Sequence, residues 1–276
     1  MNLLGGFGYI GGCYHKMYGG ERNEKTDLSP KQNQVLYFIS TVSNHTFLTD
    51  PYRDIDTNLT TLVKVLESMK DMDNAEFNFI SSGFVYGECD KPKTESDPCE
   101  PKGFYSSTKR CAEQLVKYYC EAHGIKYRII RLCNVIGGFD DKASEKKNAI
   151  HFMVRQVIQN KMPVLHLNHP DEKVERQYMD VSDICRAINM IVNKGGHNEN
   201  FNISWGDVVS QKELLDYAHH SLNMNPKYGF QKRDEFAESI HLKKVELCNQ
   251  KLRDLGFTAN LSPYDIIDEL IERETK

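Results

Sequence analysis

The stretch from Phe79 to Lys109 limits the possible folds more than any other. It opens with an apolar run that ends in small hydroxyl residues, Phe79-Ile80-Ser81-Ser82, and continues Gly83-Phe84-Val85-Tyr86-Gly87. It closes with Pro101-Lys102-Gly103-Phe104-Tyr105-Ser106-Ser107-Thr108-Lys109. The first part reads as a buried strand, the second as a turn that enters a helix. Tyr105 and Lys109 are four apart, so a helix sets them one above the other on one face. An ammonium near a phenol favours phenolate and lowers the phenol's pKa from its usual value of about 10. Ser82, at the strand end, can then hydrogen-bond both to that phenol and to a substrate hydroxyl.

A second feature lies at the start, Met1-Asn2-Leu3-Leu4-Gly5-Gly6-Phe7-Gly8-Tyr9-Ile10-Gly11-Gly12. Gly5, Gly8 and Gly11 follow a short apolar run and precede a possible helix. Glycine at such places permits a tight turn and lets the backbone approach a pyrophosphate at the helix N-terminus. The 276 residues suffice for one large or two small domains with a sizeable core. A net charge of −4 gives no reason to expect nucleic acid or an anionic membrane as partner. No apolar run approaches the roughly 20 residues that span a bilayer, and the N-terminus lacks the pattern of a signal peptide. The eight cysteines include no CxxC pair, which suits reduced thiols in a cytoplasm. The histidines show no metal-ligand spacing, so no metal is expected.

A Tyr and a Lys at helical spacing usually form an ordinary solvated face. Three pieces in order are more specific: Ser81-Ser82-x-x-Val85-Tyr86-Gly87, then Glu95-x-x-Pro98-x-x-Pro101, then Tyr105-x-x-x-Lys109. Together they resemble the extended short-chain dehydrogenase/reductase family, the NAD-dependent nucleotide-sugar epimerases and dehydratases. The resemblance makes Ser82, Tyr105 and Lys109 the catalytic residues. It makes Gly5, Gly8, Tyr9, Ile10 and Gly11 the dinucleotide loop, with Ser81, Tyr105 and Lys109 also touching the cofactor. The strand before that loop is short, and Leu4 stands where the family usually has Thr.

Residues 35–41 read as a buried strand and resemble the family's fourth strand, with Ser40 and Thr41 as the small residues at its cofactor end. Only residues 12 to 34 separate it from Gly11, whereas a helix–strand–helix–strand passage needs roughly 45 residues. Residues 12–18 can make a short helix; residues 19–34 read as loop, with Gly19-Gly20 and Pro30. The family's second strand, with its acid for the adenosine ribose, is expected to be missing, and no strand positions Glu21 or Glu24 in its place. Either the chain is naturally abbreviated here or a segment is absent from the sequence. Thr26-Asp27-Leu28 resembles the motif whose Asp reaches the adenine.

From Val42 onward the likeness is unbroken. Asn58 matches a cofactor-pocket position, although a helix cap explains it nearly as well. Leu59, Leu62, Val63, Val65 and Leu66 form an apolar helical stripe, as do Ala112, Leu115, Val116 and Tyr119. In the family these two helices pair with their copies in a homodimer; a core-facing stripe accounts for the same pattern. By the same likeness Asn134 and Arg176 contact the diphosphate of a sugar nucleotide, and a guanidinium fork suits that task. Asp183 reads as a cap of the following helix. Residues 138–149 read as a flexible loop, 150–162 as a helix, Val164-Leu165-His166-Leu167 as a short strand, and Ser210 as the start of a helix at Gln211.

The expected fold is a Rossmann-like doubly wound parallel sheet, shortened near strands 2 and 3, with a smaller C-terminal α/β substrate lobe. Residues 1–137 would bind NAD, with NADP left open. Residues 138–276 would mainly bind substrate, with segments around 176–205 returning to the first domain. The family's dehydratases have an Asp-Glu pair after the serine. This chain has Gly83-Phe84, with no titratable group for water elimination. The expectation is therefore a 4-epimerase of a nucleotide-diphosphate sugar, working through a 4-keto intermediate. Within the family the alternative is a 4-keto sugar nucleotide reductase. Of another class is a non-catalytic, cofactor-free truncated member.

Overall fold

The computed structural model describes residues 1–24, 26–138 and 148–275. Six strands form a wholly parallel sheet: β1 (Asn2–Leu4), β2 (Glu21–Arg22), β3 (Gln34–Tyr37), β4 (Glu76–Ser82), β5 (Lys126–Leu132) and β6 (Glu199–Ile203). Their order is β6-β5-β4-β3-β1-β2. A sheet covered on both faces needs apolar residues on both, so its strands show runs rather than alternation. Leu36, Ile80, Ile130 and Ile203 point to one face, where helices α1 (Tyr9–Tyr18) and α4 (Val181–Lys194) cover them. Val35, Tyr37, Phe77, Phe79 and Ile129 point to the other, under α2 (Thr61–Met69) and α3 (Phe104–His123). Each fully buried apolar side chain of this size contributes about 1.5–3 kcal/mol.

The chain leaves β1 through α1 to reach β2 on one side; β3 then returns to the other side. Neighbouring connections thus diverge at β1. In open parallel sheets a ligand crevice forms at such a switch point, beyond the carboxyl ends of the strands. Register brings those ends level: Leu4 pairs with Tyr37, and Ser82 with Leu132.

The second strand expected to be missing is present. Glu21 and Arg22 pair with Asn2 and Leu3, although the strand is only two residues long. Among the described residues no further strand lies between β2 and β3. Two buried asparagines hold the chain there instead. Asn2 Oδ1 accepts from the backbone N–H groups of Lys31 and Gln32, each at 2.7 Å. Asn2 Nδ2 donates to Asn23 Oδ1 at 2.9 Å, and Asn23 Nδ2 to Ser29 O at 2.9 Å. Side-chain amides thereby satisfy backbone groups that a strand ladder would otherwise pair.

The C-terminal part packs helices Ala149–Ile158, Gln211–Ser221 and Pro263–Thr275 around Val154, Leu214, Leu215, Ile266 and Ile267. Short strands Val164–His166 and Gly229–Gln231 pair beside them. Ser210 caps Gln211–Ser221 with a reciprocal capping box to Glu213. The reading of Asp183 as a cap is corrected: Asp180 accepts from Ser182 N and caps α4. Asp183 lies in the first turn and accepts from Asn260 N and Leu261 N at 2.7 and 3.1 Å. The loop read over 138–149 falls mostly on residues 139–147, outside the described residues.

Candidate active site

A cleft of about 780 Å³ opens beyond the carboxyl ends of β1, β3 and β4. Gly5, Gly8, Tyr9, Ile10, Gly11, Asp27, Ser40, Ser81, Ser82, Tyr105 and Lys109 all line it. Thr41, Asn58, Asn134 and Arg176 do not.

The three glycines have separable tasks. Gly5 has φ +80, and a Cβ there would lie 2.8 Å from Ile39 N. A Cβ on Gly11 would lie 2.8 Å from Gly6 Cα and 3.0 Å from Gly5 O. Both residues let backbone pack on backbone. A Cβ on Gly8 would come no nearer to another atom than 3.6 Å. Gly8 is the N-cap of α1 and offers no side-chain cap to the first turn. The helix N-terminus therefore presents uncapped N–H groups and positive dipole to the cleft, which fits a pyrophosphate. Beyond it stand Glu24, two residues past β2, and Asp27. Asp27 Oδ1 accepts from Ser29 N at 3.1 Å. Glu24 is exposed on the cleft wall, in the place where a ribose-binding acid belongs. The reading of a cofactor-free member rested on the lack of a strand before such an acid, and β2 removes that ground.

Ser82 and Ser40 line the cleft with Tyr105, and their hydroxyls act on its phenol. Ser82 Oγ also accepts from Phe84 N at 3.3 Å. Tyr105 opens α3, where Asn44 Oδ1 accepts from its N–H at 2.9 Å. Burial pushes the phenol up to about 12; the two serines pull it down, and the charge of Asp54 pushes it up. Lys109 is buried; its ammonium donates to Ile80 O at 2.6 Å and lies 4.5 Å from the Phe79 ring centre. Burial lowers its pKa to about 7, against the opposing pull of Glu113. The expectation that Lys109 lowers the pKa of Tyr105 is thus not met. The ammonium is turned toward a strand carbonyl, and desolvation of the phenol prevails.

Asn58 stands behind the cleft wall. It accepts from Thr41 N at 2.9 Å and donates to Thr41 Oγ1 and Thr108 Oγ1, each at 2.9 Å. Those bonds tie the end of β3 to α3. Arg176 is buried and donates to the carbonyls of Glu175, Leu242 and Lys243 at 2.6–3.1 Å. Among the described residues it forms no ion pair, and its guanidinium lies 5.7 Å from the Phe84 ring centre. Burial lowers its pKa. Asn134 begins a strand paired with Tyr178–Asp180. No group of residues suited to hold a metal occurs among those described.

Sequence reading missed that Ser40 faces the Tyr105 phenol, because the segment after β3 and α3 meet only in the folded chain. It also missed Asp54, buried on helix Pro51–Ile55, where burial pushes its carboxyl above the usual range.

Fold, glycine turn and cleft define the class, a Rossmann-like α/β protein with a nucleotide site at its switch point. Residues 22–204 match the NAD dependent epimerase/dehydratase family, and the chain belongs to that family. A putative UDP-glucose 4-epimerase of Methanocaldococcus jannaschii is 28% identical over 222 residues, which cover 79% of this chain and 71% of that protein. A dTDP-4-dehydro-6-deoxyglucose reductase of Escherichia coli is 25% identical over 195 residues, or 70% of this chain and 58% of that one. Among solved structures, a UDP-glucose 4-epimerase of Thermotoga maritima with UDP-glucose superposes with a TM-score of 0.87. It covers 100% of this chain and 99% of its own at 20% identity.

Proposed function

We propose that this protein is an NAD-dependent 4-epimerase of a nucleotide-diphosphate sugar. The observation that supports it most is that Ser82, Tyr105 and Lys109 line one cleft, with no acid or base on the two residues after Ser82. A Cβ on Gly83 would lie 2.6 Å from Leu247 Cδ1, so a larger residue there would have to displace the Leu247 side chain. Elimination of water needs acid and base at the neighbouring carbons; 4-epimerisation does not. The relatives include both 4-epimerases and a reductase.

NAD, when bound, supplies the hydride acceptor and donor. The uncapped start of α1 and Gly8 would hold its pyrophosphate, Glu24 its ribose and Asp27 its adenine. As phenolate, Tyr105 would take the proton of the sugar's 4-hydroxyl and later return it, while Ser82 would orient that hydroxyl. Such general-base help is typically worth 10²–10⁴ in rate. Lys109 supplies the positive charge of the site and would hold the nicotinamide ribose. Residues 138–276 would form most of the substrate lobe, where Arg176 and Asn134 would meet the diphosphate. Among the described residues Arg176 pairs with backbone carbonyls and with no carboxylate, which leaves its charge uncompensated for an anion.

Exposed apolar side chains support a homodimer: Tyr52, Ile55, Leu115 and Tyr118 lie on the outer faces of Pro51–Ile55 and α3. Light scattering that gives one chain per particle would remove that part of the proposal. Eight free cysteines agree with a cytoplasmic location. No helix of the described residues is long and apolar enough to cross a membrane.

Calorimetric titration with NAD comes first, followed by incubation with uridine- and thymidine-diphosphate sugars. The expected result is micromolar or tighter binding, and interconversion of C4 epimers without net use of NADH. Net NADH or NADPH oxidation on a 4-keto sugar nucleotide would replace the epimerase with the reductase. No cofactor binding by the folded chain would overturn both.

A further inference from the structure

Glu113 has no part in the chemistry above, yet it is fully buried beside it. It stands one turn beyond Lys109 on the same face of α3. Its Oε1 accepts from Ser81 Oγ at 2.6 Å and from Arg131 Nε at 2.9 Å. Its Oε2 accepts from Arg131 Nη2 at 2.9 Å and from Arg110 Nη1 at 2.8 Å. Arg131 also donates to the Tyr86 phenol at 2.6 Å, and Tyr86 donates to Asn202 at 2.9 Å.

The register of these contacts is the telling feature. Three consecutive residues of β4 meet three residues of α3: Ile80 O receives Lys109, Ser81 meets Glu113, and Ser82 meets Tyr105. The middle contact lies between the two functional ones along the strand. A buried ion pair is a weak source of net stability, because desolvation offsets most of its attraction. Well-packed apolar residues would serve a purely structural role here at least as well.

We propose that Glu113 is a positioning residue: it clamps the end of β4 against α3, fixes Ser82 relative to Tyr105, and presents the negative charge that Lys109 faces. The proposal rests on the reading of Tyr105 and Lys109 as the reacting pair. Glu113 is faced by Arg131 from β5, by Arg110 and Lys109 from its own helix, and by Cys99 from the segment before α3. Among the described residues, Glu113 is the charged group that acts on Lys109.

The test follows the Lys109 ammonium by nitrogen-15 NMR as pH is raised, in the full chain without cofactor. Glu113→Gln is expected to lower the midpoint by about one pH unit, as loss of a nearby opposite charge does. At neutral pH that leaves roughly a fifth of the wild-type ammonium population and lowers kcat about fivefold, with a much smaller change in KM. Arg110→Gln is expected to move the midpoint the other way, because it leaves the carboxylate less compensated. The Arg110 side chain is 30% exposed, so this variant folds even if Glu113→Gln does not. A midpoint within about 0.2 of wild type in Glu113→Gln, or one that fails to rise in Arg110→Gln, overturns the proposal. The titration needs no turnover. An inactive protein with the expected shifts would count against the epimerase reading and leave the clamp standing.

Discussion

Lys109→Met should stabilise this protein at acidic and neutral pH while removing its activity. Lys109 is 3% exposed, and burial takes its pKa from 10.5 to about 7. A lowered folded-state value means that the folded chain binds this proton more weakly than the unfolded chain. The resulting cost is fully present below pH about 7, shrinks as pH rises toward about 10.5, and is gone above it. At about 1.4 kcal/mol per tenfold in proton affinity, that cost is roughly 5 kcal/mol, an order-of-magnitude value. Methionine fills a similar volume without charge, but it leaves Ile80 O, now bonded at 2.6 Å, without its donor. An unpaired buried carbonyl costs about 1–3 kcal/mol. The variant should therefore exceed wild type by about 2–4 kcal/mol near pH 6. The gap should close, and then reverse, as the pH approaches about 10. Urea unfolding of both chains, read by circular dichroism at several pH values, measures this directly. A variant less stable than wild type near pH 6, or a gap that does not narrow with rising pH, would refute the reasoning.

Tyr105→Phe should abolish turnover and leave cofactor and sugar-nucleotide affinity within about threefold, since only the proton-transferring oxygen is lost; retained activity would reject the assigned base. Gly8→Ala and Gly11→Ala should separate binding from folding. The Gly8 Cβ meets nothing closer than 3.6 Å, so stability should fall by about 1 kcal/mol or less, from the poorer cap, while NAD binding weakens tenfold or more in calorimetry. The Gly11 Cβ would press on backbone at 2.8 Å, at a cost of about 1–3 kcal/mol read as a lower melting temperature. Asn58→Ala should destabilise the fold by about 1–3 kcal/mol, because it strands Thr41 N and removes the donor shared by the hydroxyls of Thr41 and Thr108; a change under 1 kcal/mol in urea unfolding would speak against that role.

The runs 35–41, 79–82 and 127–132 were legible as buried strands because strand length and side-chain chemistry are local, although the strands observed are Gln34–Tyr37, Glu76–Ser82 and Lys126–Leu132. So was the Tyr105–Lys109 pair, since helical spacing alone puts both on one face. The glycine turn was legible for the same reason: Gly8 and Gly11 both approach the backbone of Gly5, within seven residues of sequence. The second strand was not. Two residues, Glu21 and Arg22, have no periodicity to read, and they become a strand only because β1 offers them a partner. Asn58 was readable as a cap or a cofactor contact, and only its bonds to Thr41 and Thr108 decided that it binds strand end to helix.

By itself, then, the sequence determined the strand cores, the glycine turn and the serine, tyrosine and lysine that the cleft brings together. These depend on period, spacing and residue type, all of which act over a few residues. The tertiary structure alone decided where charge and burial fall. It turned Lys109 toward Ile80 O, left Arg176 buried among carbonyls, set Glu113 against Ser81 and Arg131, and pinned the shortened edge with Asn2 and Asn23. Desolvation and pairing of this kind depend on neighbours that lie tens of residues away along the chain, so no local pattern encodes them.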